Sequence, residues 1–132
     1  MTTSLNTLAR ELIDGPHAAI LSTTNSDGRP QSSVIFVKDD GDTVLFSTIK
    51  GRLKTRNMQR DPRVSLLVVS RTSGQYVEIR GHVEIADDPE NIVGNEMYAR
   101  YMGGGSHPDE PGAERLAVRI IPDKLTTYVP GK

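Results

Sequence analysis

The chain has 132 residues, and its 16 Lys and Arg balance 17 Asp and Glu to a net charge of −1. With 36% hydrophobic and 25% charged residues it has the make-up of one globular domain over residues 1–132, not of a disordered chain. The absence of cysteine excludes disulfide frameworks, thiol nucleophiles, iron–sulfur clusters and sulfur-ligated zinc; the near-neutral charge argues against a dedicated nucleic-acid binder.

Residues 4–14 (SLNTLARELID) predict a helix capped by Ser4, because Leu5, Leu8, Leu12 and Ile13 keep helical spacing. Gly15-Pro16 ends it. Residues 1–14 lack the apolar core of a secretory signal, and no apolar run is long enough to span a bilayer. With the missing cysteines, a cytoplasmic location and no membrane partner are expected. His17–Thr24 reads as a first strand, Gln31–Lys38 as a second and Thr43–Thr48 as a third, separated by Asn25-Ser26-Asp27-Gly28 and Asp39-Asp40-Gly41-Asp42 turns. The three are expected to form an antiparallel meander.

A short helix over Arg52–Arg60 follows and is stopped by Asp61-Pro62. Val64–Ser70 is almost continuously apolar and predicts a strand buried on both faces. Gln75–Ile85 alternates: Val77, Ile79, Gly81, Val83 and Ile85 face one way, with Gly81 marking a bulge or kink. Asp88–Met102 predicts a second long helix with a partial stripe of Ile92, Val93, Met97 and Met102. Residues 103–112 form a Gly- and Pro-rich loop. Arg115–Ile121 is a last core strand, and Leu125–Val129 a short extension. About six antiparallel strands with peripheral helices predict a mainly β fold, a small barrel.

Charge is unevenly spread along this frame. Residues 50–63 hold Lys50, Arg52, Lys54, Arg56, Arg60 and Arg63 against Asp61, whereas residues 78–114 are acidic. Ser47, Thr48, the backbone of residues 49–51, Arg52, Lys54 and Asn57 follow one another at the step from strand to helix. A helix N-terminus exposes unpaired N–H groups and partial positive charge. Gly51 permits close approach, hydroxyls can donate to phosphate oxygens, and Arg and Lys supply a fork and a point charge. This is the equipment for a phosphorylated cofactor; a solvated basic helix face is the plainer reading. His17, His82 and His107 do not form a ligand set, so no metal is expected, and the His107–Glu110 stretch reads as solvated loop. No Ser lies in a G-x-S-x-G elbow, and Gly103–Gly105 lacks the setting of a nucleotide loop.

The segments DGRPQSS, LFST, KGRLKTRNMQRDPRVSLLV and YVEIRGHVEI together resemble the pyridoxamine 5′-phosphate oxidase-like split β-barrel superfamily. More narrowly, they resemble its flavin and deazaflavin oxidoreductase branch that uses coenzyme F420. The resemblance spans residues 5–128 and is most specific over Lys50–Leu67. It implies an FMN-binding-like split barrel and a homodimer with two cofactor sites at the subunit interface. It also implies that Ser47, Arg52, Lys54 and Asn57 contact phosphate and tail. Pro30, Gln31, Ser33 and Val34 would line the ring, with Thr23 on the neighbouring strand and Tyr76 reaching the partner's site. No counterpart is found for the C-terminal substrate-binding residues of the pyridoxamine phosphate oxidases, which argues against vitamin-phosphate oxidation.

The expected function is an F420-dependent oxidoreductase that passes hydride to an electron-poor small-molecule acceptor. The ring carries the redox chemistry, and no catalytic residue is assigned. Six cations in fourteen residues favour the longer anionic tail of F420 over FMN. The alternatives are an FMN-binding flavin reductase or oxidase of the same fold, and a non-catalytic F420 or flavin carrier.

Overall fold

Strand-forming runs punctuated by glycine turns build one antiparallel sheet. The computed structural model describes residues 3–15, 17–105, 108 and 110–131. These form α1 (Thr7–Asp14), β1 (Ala19–Thr24), β2 (Pro30–Ile35), β3 (Lys38–Asp40) and β4 (Thr43–Ile49). After them come α2 (Leu53–Arg60), β5 (Arg63–Val69), β6 (Tyr76–Asp87), α3 (Ile92–Met102) and β7 (Arg115–Tyr128). The strand order is β2-β1-β5-β6-β7-β4-β3. Laid flat, six gaps of about 4.8 Å would part the two edge strands by roughly 29 Å. Yet β2 and β3 are joined by Phe36 and Val37, a link that spans about 10 Å at most. The sheet must therefore roll into a barrel that is split between β2 and β3. Inside lie Leu21, Phe46, Leu66, Ile79, Val118 and Ile120, all fully buried.

This topology corrects the expected meander. The run Gln31–Lys38 is two strands, and its halves sit on opposite edges. β2 pairs with β1, whereas β4 pairs with β3 and β7. One side chain holds the crossing. Tyr101 Oη donates to the Val37 carbonyl (2.8 Å) and accepts from the Val37 N–H (3.2 Å). Its ring stacks on Phe36 at 4.3 Å. Both main-chain groups of a residue that belongs to no strand are thereby satisfied.

Other expectations shift in smaller ways. Helix α1 is capped by Asn6, not Ser4; the Asn6 side chain accepts from the Ala9 N–H at 2.8 Å. β5 alternates, with Val64, Leu66 and Val68 buried and Leu67 and Val69 half-buried. Burial on both faces is thus not seen: β5 has the barrel interior on one side only. Met97 is the buried member of the α3 stripe, and Ile92 and Met102 are exposed. The last core strand and its extension are one fourteen-residue strand, β7, which runs through Pro122. The strands number seven among the described residues, against about six expected.

The alternation of β6 is as read, with Val77, Ile79, Gly81 and Val83 buried. The register with β7 slips between Arg80 and Gly81: Arg80 faces Lys124 and Gly81 faces Pro122. The extra residue is Asp123, so the bulge lies on β7 and Gly81 makes room opposite it. A Cβ on Gly81 would lie 2.3 Å from the Ile121 carbonyl oxygen. No helix among the described residues is long and apolar enough to cross a membrane.

Candidate functional site

The link from β4 to α2 sets the site. Gly51 turns the chain with φ +93°, and Arg52 occupies the N-cap of α2 without any side-chain capping bond. Among the described residues, no side chain accepts from the first-turn N–H groups of α2. The first turn contains no acidic residue, and Arg52 and Lys54 sit at its positive end. Cations there oppose the helix dipole by about 0.3–1 kcal/mol each. Such an arrangement costs stability unless an anion joins it.

Lys54 sharpens the point. It is half-buried, and among the described residues no carboxylate pairs with it. Burial, and then the neighbouring Arg52 guanidinium, hold its ammonium below the ordinary lysine range. Two cavities meet at this lysine. One, of about 180 Å³, is lined by Val34, Phe36, Met97 and Tyr98 as well as Ser47, Lys54 and Arg115. The other, of about 230 Å³, shares Ser47, Lys54 and Arg115 and adds Thr48, Ile49, Arg52 and Glu110. Together they make a groove with one apolar end and one basic end. The apolar end is open, with Val34 66% and Phe36 43% exposed.

The residues singled out in the sequence divide into three groups. Ser47, Arg52 and Lys54 come together in the groove, and Ser47 Oγ donates to Asn91 Oδ1 at 3.4 Å. Val34 lines the apolar end, Gly51 adjoins the basic end, and Pro30 lies exposed at the start of β2. Ser33 stands opposite Leu21 in the register and so faces the barrel side; its Oγ is buried with no hydrogen-bond partner among the described residues.

The second group is turned inward. The Thr48 hydroxyl is buried and meets Thr55 Oγ1 at 2.9 Å; Thr55 in turn donates to the Ile49 carbonyl. A hydroxyl so engaged supports the β4–α2 turn, and Thr48 reaches the groove without offering that group. Asn57 is 1% exposed. Its Nδ2 donates to Thr23 Oγ1 (3.1 Å) and Asn25 Oδ1 (2.9 Å), while its Oδ1 accepts from Arg60. Thr23 Oγ1 donates onward to Gln31 Oε1 at 2.7 Å. Asn57, Thr23 and Gln31 thus form a chain that locks α2 to β1 and β2. The Asn57 amide is engaged inside the fold in this bracing role.

The third group is Tyr76, which stands apart at the start of β6 and stacks on Tyr128 at 5.2 Å. The basic run also splits. Lys50 pairs with Glu114, Arg60 donates to the Thr24 carbonyl, and Arg63 pairs with Asp61, whose carboxyl it pulls down to about 2. Of the six cations in residues 50–63, Arg52 and Lys54 line the groove. Arg115 was missed by sequence reasoning. It sits opposite Ile49 through the β4–β7 pairing, a neighbour about seventy positions away that no local pattern announces. Tyr98 and Met97 of α3 line the apolar end of the groove as well. His107 and Asp109 lie outside the described residues. Among the described residues no group of three His, Asp or Glu is placed to hold a metal ion.

Comparison with known proteins agrees with this architecture. Residues 5–127 match the family described as pyridoxamine 5′-phosphate oxidase. A pyridoxine/pyridoxamine 5′-phosphate oxidase of Bordetella pertussis is 32% identical over 101 residues, covering 73% of this chain and 48% of that protein. A dihydrophenazinedicarboxylate synthase of Burkholderia lata is 32% identical over 108 residues, 79% of this chain and 51% of that protein. The chain thus spans about half the length of the curated relatives it matches. Among solved structures, an F420 reductase superposes with a TM-score of 0.82 at 28% identity, covering 89% of this chain and 94% of that one. A conserved hypothetical protein of Mycobacterium tuberculosis shares the fold with a TM-score of 0.76 at 23% identity, covering 97% of this chain and 86% of that one. With its barrel split between β2 and β3, the chain belongs to the pyridoxamine 5′-phosphate oxidase family.

Proposed function

We propose that the groove seats a phosphorylated redox cofactor, coenzyme F420, and that the protein is an F420-dependent oxidoreductase acting on an electron-poor small organic acceptor. The observation that carries this is Lys54: a half-buried cation with no carboxylate partner among the described residues, beside Arg52 at an uncapped helix N-terminus. The likeness to an F420 reductase at 28% identity supports the choice of cofactor. Arg52, Lys54, Arg115 and the first-turn N–H groups of α2 would hold the phosphate. β2 is an edge strand and so has main-chain groups that no neighbouring strand pairs. Those near Ser33 and Val34 would orient the ring, and Tyr98, Met97 and Phe36 would keep water from it. When bound in its reduced form, such a cofactor supplies the hydride.

FMN is the second reading, and the split of the basic run favours it. With two of its six cations in the groove, joined by Arg115, the groove suits a single phosphate as readily as a long anionic tail. Titration of the purified protein with F420 and with FMN, followed by fluorescence, separates the two. Tight FMN binding without F420 binding overturns the first, and binding without turnover of any acceptor identifies a carrier. The titration also carries a pH signature. Anion binding stabilises the charged Lys54, whose pKa in the free chain lies below the ordinary 10.5. Affinity is therefore full well below that lowered pKa and is lost as pH rises through it. In Lys54→Arg the alkaline loss should disappear, since guanidinium stays charged; an identical pH profile in the variant removes Lys54 from the seat.

The open apolar end is expected to be walled by a second copy of the chain, with Tyr76 reaching across to the partner's groove. Sedimentation at about twice 14.5 kDa is the expected result; a stable monomer that still binds cofactor counts against a shared seat.

A further inference from the structure

A cation pair at the positive end of a helix lacks a counter-charge within its own segment, and the structure shows where part of one comes from. Glu110, in the chain between α3 and β7, grips Arg52 with both carboxylate oxygens, at 2.8 and 3.0 Å from one guanidinium nitrogen. Glu110 lines the same basic cavity as Ser47, Lys54, Arg52 and Arg115. A carboxylate and a phosphate compete for the same donors on arginine. An arginine nitrogen already bridging two carboxylate oxygens meets an incoming phosphate only after that grip loosens. We propose that Glu110 is an internal stand-in for the ligand's anionic group, seated on Arg52 in the free chain and exchanged when a phosphate arrives. It sets both the affinity of the seat and its demand for a strong anion. This rests on the reading above that the basic end of the groove is an anion seat.

The exchange has two costs for the ligand. The Glu110–Arg52 pair must break, and the displaced carboxylate stays close to a like charge. Both groups are about half exposed, so each cost is modest and screened by salt. Removing them together should tighten anion binding by about three- to ten-fold. Glu114 provides the control. It lies four residues further along, pairs with Lys50 at 3.3 Å, and is absent from the lining of the basic cavity. Glu114→Gln changes the net charge by the same amount as Glu110→Gln without touching the seat.

The test is thermal stabilisation of the full chain by inorganic pyrophosphate at low ionic strength. The expected result is half-saturation at about three- to ten-fold lower pyrophosphate for Glu110→Gln, with Glu114→Gln within two-fold of the unaltered chain. Equal shifts in both variants, no shift in Glu110→Gln, or no stabilisation of any of the three proteins overturns the proposal. The cofactor titration is separate. If F420 and FMN both fail to bind while the pyrophosphate pattern appears, the cofactor reading falls and the role of Glu110 stands.

Discussion

The doubly neutralised variant Arg52→Gln/Lys54→Gln should lose cofactor affinity by about a hundred-fold while melting no lower than the unaltered chain. The two halves of this result come from the same geometry. Each charge-assisted contact to phosphate contributes about 1.5–3 kcal/mol, and two together reach two factors of ten or more at about 1.4 kcal/mol per factor. The stability half follows from the helix. Two cations stand at the positive end of α2 with no acid in its first turn, so neutralising them relieves about 0.3–1 kcal/mol apiece. Against this stands the loss of the half-exposed Arg52–Glu110 pair, which contributes about 0.2–1 kcal/mol. Calorimetric titration and a thermal melt on one preparation check both. A loss of affinity below ten-fold would place the phosphate elsewhere, and a large fall in Tm would mean that the pair serves the fold.

The second large effect lies far from the groove. Gly81→Ala should destabilise the protein by about 3 kcal/mol, the upper part of the range for overpacking a filled interior. The added carbon would sit 2.3 Å from the Ile121 carbonyl oxygen and 3.0 Å from its carbon. Both are main chain, held in the β6–β7 ladder, and neither can swing aside as a side-chain tip could. For a chain of this length the loss corresponds to a fall in Tm of roughly 10–15 °C. A variant melting within about 2 °C of the unaltered protein would show that the two strands part freely at the bulge.

Gly81 also shows how far the sequence can be read. Alternation along β6 revealed which side chains face inward, because period two is a property of one strand. The bulge was legible as an irregularity near Gly81 but not as an insertion in β7, because that requires knowing the partner's register. The same limit explains the false meander. Phe36 and Val37 carry on an apolar run, and nothing local announces that the chain leaves one edge of the sheet for the other. It is the Tyr101 hydroxyl, sixty-four residues away, that fixes the crossing. In the groove, Ser47, Arg52 and Lys54 were legible because one turn and one helix present them together. Arg115 was not, since it arrives from a distant segment through the β4–β7 pairing. Asn57 was given a phosphate contact by resemblance; its bracing bonds reach Thr23 and Asn25, 34 and 32 positions away, which no local pattern shows.

The β4–β7 pairing has a temporal meaning as well. It aligns residues 44–49 with residues 115–120, so the seam cannot zip until β7, which follows every other described strand in chain order, has been synthesised. The strand that seals the wall is also the one that brings Arg115 beside Ser47 and Lys54. A nascent chain emerging from the ribosome therefore carries Arg52 and Lys54 early, and the groove that they line with Arg115 is completed only in the event that closes the barrel.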